Sequence, residues 1–231
     1  MCSSKLINWS FWCSLLFIVI LAALHFIRPE IAPSWNFISE YERGPFGWLM
    51  HVAFFYLALS CIFLVLALWN QLNMTGKTGL IMLTIASIGM ILAALFKTDA
   101  LNTPANLLTL SGRLHQTGAM LDQIPFAAIL ITIAFVNNRE WQVNNHVLII
   151  SLLLVWFGFI CFVGTIQEQL PANGQFGPNV TMGWQHRLMM ITQAGWLAII
   201  GQQFRLRKPR AVNKNITGSG ADIVSYFVNE S

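Results

Sequence analysis

Six stretches of this chain are each apolar enough to cross a hydrocarbon core, a span that takes about 20 helical residues. They run Trp9–Ile27, Gly47–Trp69, Leu80–Phe96, Leu114–Val136, His146–Ile166 and Gly183–Phe204, the third being the shortest and leaning on its flanks. Lipid offers no partner for backbone N–H and C=O groups, so runs of this length predict helices, which satisfy those groups internally. Charged residues make up only 10% of the chain, too few to cover a water-facing surface. The expectation is an all-α, polytopic membrane protein. Residues 1–204 form a bundle of six transmembrane helices, and residues 205–231 a basic, mobile cytoplasmic tail.

The connections alternate in character. Residues 70–79 and 137–145 are short polar turns, whereas 28–46, 97–113 and 167–182 are longer and rich in Pro, Gly and charge. Lysine and arginine bias sets orientation. With the N-terminus inside, Lys5, Lys77, Arg139, Arg205, Arg207, Lys208, Arg210 and Lys214 are cytoplasmic, against Arg28, Arg43, Lys97, Arg113 and Arg187 outside. That bias favours a multi-pass protein of the cell membrane with both termini in the cytoplasm. The basic end of the last helix suits anionic headgroups rather than nucleic acid, because it has no aromatic interleaving. Cys2, Cys13, Cys61 and Cys161 are scattered, which predicts neither a disulfide framework nor a cysteine metal site.

All three long loops then lie on the outer side and lead into helices with similar first turns. Gly47-Trp48-Leu49-Met50-His51, Gly112-Arg113-Leu114-His115 and Gly183-Trp184-Gln185-His186-Arg187 each place a histidine about 5 Å inside a helix start. His25 reaches the same layer from the end of the first helix. Asp122 lies two turns after His115 on the same face, about 10 Å deeper. A carboxyl group there must face the bundle interior, find a partner or be protonated. Pro125, three positions on, removes a backbone hydrogen bond and predicts a kink beside it.

Around this layer the loops add Glu40, Glu42, Arg43, Asp99, Arg113, Gln185 and Arg187. Histidine with carboxylates suits zinc or iron, and the same groups suit general acid–base chemistry. Helix starts flanked by Arg113 and Arg187 suit a phosphate or carboxylate head group. Each histidine taken alone is more simply a residue that satisfies a neighbouring carbonyl. Arg113 and Arg187 could equally snorkel or pair with Asp99 and Glu168. For Asp122 with His115 the two readings balance, because intramembrane acids are expensive. No Walker loop, dinucleotide fingerprint, GxSxG elbow or HExxH occurs.

Ser39-Glu40-Tyr41-Glu42-Arg43-Gly44-Pro45-Phe46-Gly47-Trp48, then Phe96-Lys97-Thr98-Asp99, Gly112-Arg113-Leu114-His115 and Gly183-Trp184-Gln185-His186-Arg187 together resemble the pattern of the domain-of-unknown-function family 998. The likeness runs from the first helix to the sixth and implies a six-helix, largely prokaryotic membrane protein, with no activity attached. Family members commonly carry glutamine just before the final arginine. His186 stands there in this chain, so the resemblance lends nothing to a three-histidine metal set.

Two functions follow as expectations. The first is a membrane-embedded site at the extracytoplasmic face that binds or modifies a lipid or small polar molecule, with or without a metal. Its core would be His115, Asp122, Asp99 and Arg187. Glu40, Glu42, Arg43, His51, Arg113, Gln185 and His186 would supply binding contacts. The second is a non-catalytic membrane protein that stabilises or senses a partner in the envelope. Neither fixes a cofactor or a protein partner.

Overall fold

A computed structural model describes residues 3–138, 141–169 and 175–209. The expected tail beyond Pro209 lies outside the described residues. The architecture is an all-α bundle suited to a lipid bilayer. Helix α1 spans Ser3–Ile27 and α2 Trp48–Leu68, joined by a long loop that carries a 3-10 turn at Ile38–Glu42. Helix α3, Met74–Leu95, begins six residues before the predicted start. The Asn73 side chain accepts a hydrogen bond from the Gly76 N–H, and such a cap starts a helix even where the first turn is polar.

The fourth span departs furthest from a simple helix. It divides into α4, Leu110–Met120, and α5, Ile124–Val136. Thr109 starts α4 by accepting from the Gly112 N–H. Pro125 sits in the first turn of α5, where its missing N–H costs nothing, and it cannot continue a helix arriving from upstream. The Asp122 side chain fills the break by accepting from the Ile124 N–H at 3.1 Å. The Trp156 indole donates to the Pro125 carbonyl at 3.1 Å and ties the break to the next helix. Helix α6 covers Asn145–Gln169 and α7 Met182–Leu206.

Among the described residues five spans are long and apolar enough to cross a membrane: Ser4–Ile27, Trp48–Leu68, Met74–Leu95, the broken Leu110–Val136, and Asn145–Gln169. The sixth, α7, has 25 residues and is more polar. Its polar groups Arg187 and Gln193 are buried among its neighbours rather than turned outward.

The helices pack as a closed ring in chain order. Helix α1 lies on α2, α2 on α3, α3 on α4 and α5, α5 on α6, α6 on α7, and α7 returns to α1. The core inside the ring is built from Phe17, Leu57, Leu64, Ile131, Trp196 and their neighbours. Ser14 and Ser60 share a 2.6 Å hydroxyl hydrogen bond across α1 and α2, and Ser10 bonds the Ser60 carbonyl at 2.9 Å. Paired hydroxyls of this kind let two helices approach closely without orphaned polar groups.

Candidate functional site

All three glycine-led helix starts are places where a loop lies directly on a helix, and at Gly47 it is the Glu42 backbone that a Cβ would meet. A Cβ on Gly112 would collide with the Asp99 carboxylate, and one on Gly183 would collide with the backbone of Pro33, Trp35 and Asn36. The first contact lets the Asp99 carboxylate accept from the Thr109 N–H at 2.8 Å and from its hydroxyl at 3.0 Å. The second lets the Gly183 N–H reach the Ser34 carbonyl at 3.0 Å.

Arg187 lies beneath the first loop with only 2% of its surface exposed. Its Nε donates to His25 Nε2 at 2.8 Å, and Nη1 donates to the carbonyls of Pro33, Asn36 and Gly183 at 3.1, 2.7 and 3.0 Å. Nη2 lies 3.4 Å from the Tyr41 hydroxyl. The planar fork thus fastens α1, the loop and α7 together. Because His25 Nε2 accepts, its Nδ1 carries the hydrogen donated to the Leu21 carbonyl at 2.7 Å.

The acids of the first loop brace the second. Glu40 accepts from the Leu101 N–H at 2.9 Å and pairs with Arg43 at 3.0 Å. Glu42 accepts from the Thr98 N–H at 2.7 Å through one carboxylate oxygen. Its other oxygen has no hydrogen-bond partner, although His115 Nδ1 is 3.4 Å away and His51 Nδ1 4.0 Å. Those two ring nitrogens are directed at carbonyls instead, His115 to Phe96 at 2.9 Å and His51 to Ala94 at 3.0 Å. Burial pushes the Glu42 carboxyl up to about 8, the nearby Glu40 adds to the rise, and the Thr98 hydrogen bond and Lys97 oppose it. Glu42 is therefore mostly protonated at neutral pH.

A cavity of about 470 Å³ opens from the loop over residues 97–108 and runs down to Asp122. Its polar lining includes Glu40, Asp99, His115, Gln116, Asp122 and His186. Its apolar walls include Phe37, Phe54, Phe162, Met120, Met189 and Met190. At the deep end Asp122 accepts from the Gln193 amide at 2.8 Å. His186 is held by rings, stacked on Phe162 with centroids 5.0 Å apart and edge-on to Phe37 at 5.1 Å.

Of the residues singled out from sequence, the cavity brings together Glu40, Asp99, His115, Asp122 and His186. Glu42, Arg43, His51, Gln185 and Arg187 lie outside its lining, and Arg113 is exposed. Among the described residues no three His, Cys, Asp or Glu side chains are placed to hold a metal ion. Sequence reasoning missed Gln193, although a glutamine in the middle of an apolar span was the available signal.

A family model described as a protein of unknown function, DUF998, matches residues 11–203. The chain belongs to the DUF998 family. The match runs from within α1 to within α7, so the described lining of the cavity lies wholly within the DUF998 region. No curated protein and no solved structure matches this DUF998 chain.

Proposed function

We propose that this DUF998 protein uses the cavity to bind, and in the enzyme form of the reading to modify, a lipid or small polar molecule at the extracytoplasmic face of the cell membrane. The cavity itself carries the proposal. A concave space with mostly apolar walls and a few convergent polar groups is the usual form of a small-molecule site. Asp122 and His115 would contact the polar part of the ligand, with Asp99 and Glu40 at the loop end and His186 at the side wall. Arg187, Glu42 and His51 then act as braces that hold the loops over the opening.

The first test is to extract and identify molecules that co-purify with the detergent-solubilised protein. Wild type, Asp122→Asn and Met190→Trp would be compared, each with a thermal unfolding curve. Asparagine keeps an acceptor for the Ile124 N–H, so the break in the fourth span survives. Retention of one amphipath should fall about tenfold or more in both variants with unfolding little changed, the equivalent of one lost charged contact or a filled cavity. The same complement in all three proteins would remove the binding reading.

A specific observation supports a second reading. Asp99, Glu40, Glu42, His51 and His115 each already bond to backbone N–H or C=O groups. A scaffold that presents braced outer loops to a protein partner would need those bonds and no ligand.

A further inference from the structure

The way the fourth span breaks determines how the cavity can be entered. Below the break, α5 packs on α6 and closes the ring. Above it, α4 lies along α3, and its packing with α6 or α7 is slight at most. Gln116, Ala119 and Met120 of α4 line the cavity, yet all three are exposed, Met120 by 79%. The opposite wall is Phe162 of α6 with His186, Met189 and Met190 of α7. A seam between α4 and the α6–α7 pair therefore joins the cavity to the bilayer on the long-loop side.

The lining also has a definite electrical character. It holds the carboxyl groups of Glu40, Asp99 and Asp122, and no lysine or arginine among the described residues. Arg43 pairs with Glu40, and among the described residues no basic side chain is bonded to Asp99 or Asp122. Each Asp122 oxygen takes one hydrogen bond, from Ile124 or Gln193. A carboxylate has room for about four, so acceptor capacity remains. Phe37, Phe54 and Phe162 add aromatic rings to the lining, and a ring face attracts a cation rather than an anion. A phosphate or carboxylate head group, which the flanking arginines suggested from sequence, would meet carboxylates here instead.

Resting on the binding reading above, we propose that the ligand is a membrane-dissolved amphipath with an amine head group, which enters sideways through the seam between α4 and the α6–α7 pair. Its chain follows the methionines and phenylalanines while its N–H groups reach Asp122. The shape of the seam accounts for the break at residues 121–123, which moves α4 away from α6 without loosening α5.

Three probes carrying the same diazirine test this on the full chain in phosphatidylcholine vesicles: a long-chain alkyl amine, the matching alkyl phosphate, and a short water-soluble amine. Labelled peptides are mapped by mass spectrometry, with lipid-facing α6 as the internal reference. The long-chain amine should label cavity residues of α4 and α7 and be displaced by its unlabelled form. Ala119→Trp, or Met120→Trp should that variant not fold, should cut this labelling at least about tenfold while leaving the α6 reference unchanged. Equal or stronger cavity labelling by the phosphate would overturn the head-group assignment. Cavity labelling by the short amine alone, or labelling unchanged in both tryptophan variants, would overturn lateral entry and leave the binding reading standing. Labelling of α6 alone by all three probes would overturn both.

Discussion

Glu42 is a buried carboxyl group whose outer oxygen faces two histidine rings that donate elsewhere. Its folded value of about 8 lies above the ordinary 4.5, so between those values the folded protein holds a proton that the unfolded chain has released. Stability must then fall as pH rises through that window. Glu42→Gln should flatten the fall and raise the melting temperature at pH 8, measured by thermal unfolding in detergent across pH 5 to 9. A fall unchanged in the variant would assign the proton to another group. Arg187 presents the opposite case, a buried cation whose charge is met by carbonyls and a histidine. Arg187→Lys keeps the charge but cannot reproduce a planar fork reaching five partners at once. We expect a loss of about 3 kcal/mol, the scale of one or two charged hydrogen bonds, read as a lowered unfolding midpoint. Pairing of Arg187 with Glu168 was open from sequence, and nothing in a linear pattern pointed to His25 as the partner. The two lie 162 positions apart.

At the scale of helices, α3 and α4 approach so closely that a Cβ on Gly89 would meet the Gly118 carbonyl, and one on Gly118 the Gly89 carbonyl. This contact anchors α4 to α3 and so keeps it away from α6. Gly118→Leu should lower stability by about 2 kcal/mol, the usual scale of overpacking. Gly195→Leu, on a face with nothing within 4 Å, should stay within about 0.5 kcal/mol. A proteolysis or unfolding series would separate the two. Much of this level was legible beforehand: hydropathy located the spans, and Pro125 beside Asp122 marked a kink. Helix starts were less legible, because Asn73 and Thr109 cap through single side-chain bonds that leave no trace in an apolar pattern. The candidate site was readable only in part. Asp122, His115 and Asp99 announced themselves as polar groups at helix ends and mid-span, whereas the cavity walls are phenylalanines and methionines that look like any other core.

At the scale of the whole molecule, the three long connections gather at one end of the ring and the short turns at the other. A reporter fused after Arg205 should read cytoplasmic, as the lysine and arginine bias requires. An external reading would invert the bundle and move the cavity mouth to the cytoplasm. The ring has one more consequence, which concerns the order of assembly. Every span packs on the span synthesised just before it, and the main contacts between distant spans are those of α7, above all with α1. Short-range contacts form as a chain emerges, and long-range ones must await the distant segment. The α1–α7 seam therefore closes last, and the bond from Arg187 to His25 forms as the ring closes. Until then the first loop has no lock, and a chain halted before residue 182 would carry five spans in an open arc.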